Sequence, residues 1–323
     1  MMQISVVIPL YNEEASIHEL HELVLRVMTE HQFTFEIIFV NDGSKDHSEK
    51  ILNQLAQQHE NVHVIHFLKN YGKSQALHAG FKIASGEVVI TMDADLQDNP
   101  EEIPELYQMI VEEKFDLVSG WKKVRHDAVL TKNIPSKLFN KVASWTSGIK
   151  LHDFNCGLKA YKKEVVKCID VKGEMHRYIP ILAKNEGFDK IGEKVVKHQA
   201  RKYGTTKFGA ERFLHGFLDL ISVWFFTKFG KRPMHFFGAL GGLMFFIGFL
   251  ATAWIGISKI YKLWNNQPAI LVTNNPWFYI ALTAMIIGVL LFIAGFLGEL
   301  ILNNNQHTQR YQIKNSTKQS EKN

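Results

Sequence analysis

"EVVITMDADLQDNPEE", residues 87–102, carries an apolar run straight into three aspartates within six positions and then two glutamates. The run reads as a buried strand, and Asp93, Asp95 and Asp98 follow at its end. Like charges this close raise one another's pKa unless a cation or a ring of donors neutralises them. A solvated acidic helix start accounts for part of the cluster, because Asn99-Pro100 suits an N-cap followed by the first helical residue. That reading covers Asp98, Glu101 and Glu102. Asp93 and Asp95, still at the strand end, call for a neutralising partner.

Working outward, the same strand–loop–helix unit recurs. "ISVVIPLY" (4–11), "FEIIFVND" (35–42), "VHVIHFL" (62–68) and "FDLVSG" (115–120) read as further strands. Helices are expected over 14–29, over 44–59 with Ser44 as its cap, over 73–85 and over 100–114. Near-continuous apolar strands alternating with helices imply a mostly parallel sheet covered on both faces, an α/β domain. Ligands of such sheets bind at the carboxyl ends of the strands. The polar motifs fall there: "YNEE" (11–14), "NDGS" (41–44) and "DADLQD" (93–98). Three clusters at one edge imply one site.

The kind of site narrows by exclusion. Strand one ends in "PLYNEE" without the glycines of a dinucleotide fingerprint. "YGKS" (71–74) lacks the glycine a phosphate loop needs five residues before Gly72, since position 67 is Phe. His18 and His21 in "HELHEL" read as solvated residues of a surface helix. Two cysteines, Cys156 and Cys168, imply neither a disulfide framework nor a metal knuckle and suit a reducing compartment. A nucleotide site remains, its charge handled by a hard divalent cation shared between carboxylates and phosphates.

The C-terminal third differs in character. Residues 236–258 and 276–298, 23 each, contain no formal charge. About 20 such residues cross a bilayer as a helix, and their glycines suit close packing of two membrane helices; buried core helices are the alternative. Lys228, Lys231 and Arg232 before the first span, and Arg310, Lys314, Lys318 and Lys322 after the second, outnumber Lys259 and Lys262 between them. That bias places both termini in the cytoplasm. The first apolar run is too short for a signal peptide. A net charge of +5 fits a neighbour of anionic lipid, and no basic-aromatic stripe points to nucleic acid. Residues 211–233 suit a helix lying in the interface, or one packing on a core. The polar tail, 303–323, reads as disordered.

"PLYNEE", "NDGSKD", "DADLQDNPEE", "DFNCGLKAY", "EMHRYIP" and "RKYGTTKFG" occur in the order and spacing of the family 2 glycosyltransferases. The chain resembles their polyprenyl-phosphate subgroup, such as bactoprenol glucosyltransferases and dolichyl-phosphate mannose synthases, over about residues 4–300. The resemblance implies a cytoplasmic catalytic domain of the GT-A fold over 1–210, an interfacial region over 211–233 and a membrane hairpin over 234–302, in the inner or plasma membrane. It implies inverting, metal-dependent transfer of a sugar from a nucleotide sugar, with UDP-glucose favoured, to undecaprenyl or a related polyprenyl phosphate. Pro9, Tyr11, Glu13, Val40 and Asp42 would line the nucleotide; for Asp42 an Asx turn with Gly43 is the alternative. Asp93, Ala94 and Asp95 form the DxD segment, with Asp93, Asp95 and Gln97 holding Mg²⁺ or Mn²⁺. Arg201 and Lys207 match a mobile basic loop that closes on phosphates, unless that segment is simply an exposed turn. Arg125, with Lys122 and Lys123 as rivals, Arg177, Arg201 and Lys207 are candidates for the acceptor phosphate, and Arg201 joins Asp93, Asp95 and Asp153 as a catalytic candidate; Arg177 would otherwise pair with Glu174 or Asp189. Asp153 is a base or a positioning group. Other acceptors are a second reading, although the "QxxRW" of processive synthases is absent. A non-catalytic nucleotide-sugar-binding subunit is a third, and a homo-oligomer stays open.

Overall fold

Parallel pairing follows from the length of the connections, since each strand of the first four returns through a helix. The computed structural model describes residues 2–123, 140–141, 143–145, 147–171, 173, 175–199, 202, 225, 228–230 and 232–304. The elements are β1 (Ile4–Leu10), α1 (Ile17–Glu30), β2 (Phe35–Asn41), α2 (Ser48–Gln58), β3 (Val62–His66), α3 (Lys73–Ile83), β4 (Val88–Thr91), α4 (Ile103–Val111) and β5 (Leu117–Trp121). After them come β6 (Lys159–Lys162), α5 (Lys163–Cys168), α6 (Ile179–Asn185), β7 (Ile191–Val195) and two long helices, α7 (Pro233–Trp264) and α8 (Pro276–Asn304). The chain divides into two compact units, 1–227 and 228–323.

In the first unit seven strands form one sheet in the order β3-β2-β1-β4-β6-β5-β7. Strand alternation sorts the core into two layers. Val6 and Ile8 face α1, α2 and α4 through Leu20, Val24, Leu52 and Leu106. Val7, Ile38 and Val40 face α3, α5 and α6 through Leu77, Phe81, Val165 and Ile179. Central strands buried on both faces are why β1, β2 and β4 are written as apolar runs.

One strand reverses. β6 lies antiparallel to both β4 and β5, with Thr91 opposite Lys159 and Val88 opposite Lys162. The start of β6 therefore meets the end of β4. Residues 153–158 are delivered to the edge that carries the acidic loop.

Several local expectations change. Ser44 does not cap α2, whose N-cap is His47 with no side-chain bond. The Ser44 hydroxyl instead accepts the Asn12 N–H at 2.8 Å. Asn99 does cap the turn at Pro100–Glu102, its Oδ1 accepting the Glu101 N–H at 3.1 Å. The helix beyond ends at Val111, three residues early, because Lys114 turns left-handed at φ 62°. Asp98 and Glu102 are not solvated: both are buried, Asp98 against Lys122 and Glu102 against Lys194. Only Glu101 stays exposed, beside Arg26.

His21 is likewise buried, its ring centroid 4.5 Å from that of His59. Burial, then the neighbouring His59 and His18, push its pKa down from 6.5 to about 4.

In the second unit, α7 and α8 form an antiparallel pair of helices long and apolar enough to cross a membrane. Small residues recur every seven positions along the contact: Gly241 and Gly248 on one helix, Ala281, Gly288 and Gly295 on the other. A Cβ on Gly241 would lie 2.5 Å from the Gly288 carbonyl oxygen, and one on Gly248 2.6 Å from that of Ala281. The backbones touch there, as membrane helix pairs require in place of a hydrophobic drive. A seven-residue repeat also matches the period of a left-handed supercoil. At the open end of the hairpin, Glu299 accepts the Met234 N–H at 3.4 Å.

The expected interfacial helix at 211–233 lies almost wholly outside the described residues; of the tail expected to be disordered over 303–323, residues 303 and 304 are instead the end of α8 and the rest lies outside the described residues.

The buried histidine makes a test. A folded-state pKa below the unfolded value means stability is full above pH 6.5 and is lost as pH falls toward 4, by up to about 3 kcal/mol. His21→Leu is expected to give a shallower decline in melting temperature between these limits. An unchanged slope would remove His21 from the account.

Candidate active site

The parallel strands β1, β2 and β4 end at Leu10, Asn41 and Thr91, so the loops that follow them share one edge. The first two loops are laced together. Asn12, left-handed at φ 55°, accepts the Lys45 N–H on its Oδ1 at 2.7 Å. Glu13 N–H donates to the Ser48 hydroxyl at 3.2 Å, and Glu14 accepts the His47 N–H at 2.8 Å. Pro9, Tyr11 and Glu13 are half-buried here. Val40 is fully buried, so its side chain belongs to the core and only its main chain lies near this edge.

Asp42 is buried and accepts the N–H groups of Tyr71 at 2.6 Å and Gly72 at 2.9 Å. Its carboxylate therefore holds the loop after β3 rather than closing a local turn. Burial pushes its pKa up against those two donors. Gly43, at φ 68°, lets this loop approach: a Cβ there would sit 2.6 Å from the Lys69 Cα.

The loop so held is "YGKS". It is no phosphate loop in sequence, yet it delivers Lys73, the first residue of α3, to Asp93, where the two form an ion pair. Lys73 is a site residue that sequence reasoning passed over. Its signal was position, at the same carboxyl edge as the other motifs.

The acidic loop distributes its charges. Asp93 takes Lys73, and its own N–H donates to Asp98 at 3.1 Å. Asp98 turns inward to Lys122 at 2.7 Å, both nearly out of solvent. Asp95 accepts the Gln97 N–H at 3.2 Å, and both remain half-buried. Ala94, Leu96 and Asp98 are buried while 93, 95 and 97 keep partial exposure. Leu96 adopts φ 59°, a strained choice for a leucine. Burial would raise the Asp93 pKa, but Lys73, Lys122 and Lys159 together hold it at about 2. Asp93 is an anion at any physiological pH. Lys122, its pKa raised by Asp98 against the opposing effect of burial, is occupied. Lys123 is exposed and lies over the Trp121 ring.

The reversed strand supplies the opposite wall. Gly157 packs against Asp93 so closely that a Cβ would lie 2.5 Å from the carboxyl carbon. Asp153 is buried, its Oδ1 accepting the Asn155 N–H at 3.0 Å. Lys159, also buried, donates to the Cys156 carbonyl, and burial lowers its pKa. Cys156 is pushed up to about 12 by burial, with Asp98 adding to the effect, so its thiol is inert. Lys73, Thr91, Gly157, Lys159, His176 and Arg177 line one small cavity beside Asp93. His176 bonds Ser74 through both its N–H and its ring. Burial and the charges of Lys73, Arg177 and Lys159 depress its pKa well below the usual histidine range. The cavity thus gathers three cationic side chains and a neutral imidazole; its volume is about 10 Å³, room for about one water molecule. Lys159 was the second residue missed; a lysine inside the apolar "CGLKAY" strand was the visible signal.

The structure brings Asp42, Asp93, Asp95, Gln97, Asp153 and Arg177 to this edge; Arg125, Arg201, Lys207 and Glu174 lie outside the described residues. Among the described residues no three His, Cys, Asp or Glu side chains enclose an ion unaided. Two adjacent hard carboxylates do fit a divalent ion that draws its other ligands from water or a diphosphate.

Residues 5–170 match the model of the family described as "Glycosyl transferase family 2". The chain is 33% identical over 302 residues, 93% of its length and 88% of the relative's, to dodecaprenyl-phosphate galacturonate synthase of Rhizobium johnstonii. It is 34% identical over 300 residues, covering 92% and 84%, to undecaprenyl-phosphate 4-deoxy-4-formamido-L-arabinose transferase of Pseudomonas aeruginosa. In fold it is similar to glucosyl-3-phosphoglycerate synthase of Mycobacterium tuberculosis, crystallised with Mn²⁺, UDP and phosphoglyceric acid, with a TM-score of 0.54 at 18% identity over 70% of this chain and 78% of that one. The catalytic unit is thus a GT-A-like α/β domain.

The Gly157–Asp93 contact is testable by a mutant cycle. Gly157→Ala is expected to cost about 1–3 kcal/mol of stability through overpacking, and much less when Asp93 is already alanine. Equal costs in both backgrounds would mean that the contact does not exist.

Proposed function

Since the chain belongs to glycosyl transferase family 2 and is a glycosyltransferase, we propose that it moves a sugar from a nucleotide sugar onto the phosphate of a polyprenyl lipid. The observation that carries this reading is the pairing of the Asp93–Asp95 loop with the Lys73, Lys159 and Arg177 cavity. One part suits a metal-bound diphosphate, and the other sets positive charge at the same edge for a second phosphate. Two relatives named for polyprenyl-phosphate acceptors align along more than nine-tenths of the chain, hairpin included.

Breaking a sugar–diphosphate bond leaves an added negative charge on the departing nucleotide. A divalent ion such as Mg²⁺ or Mn²⁺ on Asp93 and Asp95, with Gln97 in the same loop, supplies Lewis-acid stabilisation of that charge when bound. Lys73 exchanges its carboxylate partner for a phosphate oxygen when the donor enters, so its charge is used twice. Asp42, Tyr11 and Glu13, with Pro9 and the Val40 main chain, take the nucleoside. Arg201 and Lys207 are assigned to the diphosphate, and Arg177 with Lys159 to the acceptor. A phosphate monoester has a second pKa of about 6, so the acceptor is mostly a dianion and is its own nucleophile. Its oxygen bonds to the anomeric carbon as the nucleoside diphosphate leaves from the opposite face, inverting the configuration. No proton has to be removed, and Asp153, buried and engaged with Asn155, positions the wall of the site. The relatives are named for a uronic acid and a formamido-pentose, so glucose is one member of a donor panel. Both termini are assigned to the cytoplasmic side on the excess of Lys228, Lys231, Arg232, Arg310, Lys314, Lys318 and Lys322 over Lys259 and Lys262.

Membranes holding the protein, given polyprenyl phosphate, Mg²⁺ or Mn²⁺ and each labelled nucleotide sugar in turn, should pass label into the organic phase with one donor. Asp95→Asn is expected to reduce transfer at least about 100-fold with unchanged membrane insertion. Full turnover by that variant, or transfer in excess chelator, would defeat the metal assignment.

A further inference from the structure

The loop end of the hairpin holds charge that no acidic residue within residues 228–298 balances. From Lys228 to Gly298 the sequence contains no aspartate or glutamate, yet Lys259 and Lys262 stand near the end of α7. The first carboxylate beyond, Glu299, is spent at the opposite end of the hairpin on the Met234 N–H. Three residues apart on a helix, the two lysines share a face.

Their depth is set by helix length. Lys259 lies 26 residues after Pro233, about 39 Å along the axis at 1.5 Å per residue. The hydrocarbon core is about 30 Å thick and the whole bilayer about 40–45 Å, so both ammonium groups fall in the far headgroup layer. Trp254 and Trp277, 74% and 69% exposed, sit at the level where an aromatic belt is expected.

These residues are gathered around a space. A cleft of about 550 Å³ between the end of α7, the turn at Val272–Asn274 and the start of α8 is lined by Trp254, Lys259, Lys262, Asn274, Asn275 and Trp277. Two ammonium groups, two side-chain amides and two indoles all carry donors, while Ile255, Ile270 and Leu271 provide apolar wall. Donor-rich at the head and apolar at the side is the complement of a phospholipid.

We propose that this cleft binds the phosphate headgroup of an anionic phospholipid of the surrounding bilayer, which supplies the counter-charge absent from the hairpin. Lys259 and Lys262 pair with the phosphate, and the tryptophans bracket the glycerol and upper acyl chains. The site belongs to the second unit, and the proposal does not depend on the sugar-transfer activity.

Native mass spectrometry of the full-length protein in detergent tests this. With phosphatidylglycerol titrated in, the wild type should retain one lipid that phosphatidylcholine does not replace. Two lysines at about 1 kcal/mol each predict weakening on the order of tenfold or more in K259Q/K262Q. K259R/K262R, which keeps the charge, and Lys228→Gln, a basic residue outside the cleft, should both retain the lipid. Undiminished retention by K259Q/K262Q, equal retention of phosphatidylcholine, or displacement of the lipid by excess inorganic phosphate would each overturn the proposal.

Discussion

Two lysines make the acidic loop compatible with a folded protein. Asp93, Asp95 and Asp98 follow a fully buried strand, and as neighbours they would repel in a medium that screens poorly. Lys73 comes from α3 and meets Asp93; Lys122 comes from the end of β5 and meets Asp98. The two pairs differ in kind. Lys122 and Asp98 are nearly out of solvent and fix the loop, whereas Lys73 and Asp93 remain about one-third exposed and open to exchange. A buried pair anchors, and a half-exposed pair can trade partners with a charged ligand. That division lets a single loop be rigid at its root and responsive at its tip.

Much of this was legible in the amino-acid order. β1 to β5 and the intervening helices follow from apolar runs and loop composition, and their carboxyl edge follows from parallel winding. The long helices follow from absence of charge, but they run on to Trp264 and Asn304 because helix hydrogen bonding does not stop at Lys259 or Glu299. What escaped depends on contacts distant in sequence. β6 is four residues long, and nothing in "KAYK" says that it inserts between β4 and β5 in reverse. Without that insertion Gly157 has no reason to lie on Asp93. Asp98 and Glu102 look solvated until Lys122 and Lys194 are placed beside them. Lys73 sits in a motif rejected on correct grounds, for the wrong question.

The two units use glycine for the same end. Gly157 admits a carboxylate, and Gly241 and Gly288 admit one another's carbonyls. In each case the missing side chain is the space a neighbour occupies. In the hairpin the result is backbone contact where lipid would otherwise compete. In the catalytic unit it is an aspartate seated against main chain, with only its outer face left for cations.

The reversed strand also bears on biosynthesis. Emerging from the ribosome, β1 to β4 complete a four-stranded half whose last strand has a bare edge, because its eventual neighbour β6 is translated after β5. That bare edge is a sticky surface in a nascent chain. It is closed only when Lys159–Lys162 arrive, and the same event seats Gly157 on Asp93. The gap beside β4 and the Gly157 wall of the pocket are closed together, before His176, Arg177 and β7 are added, so a chain halted before β6 has neither a finished sheet nor a working cleft.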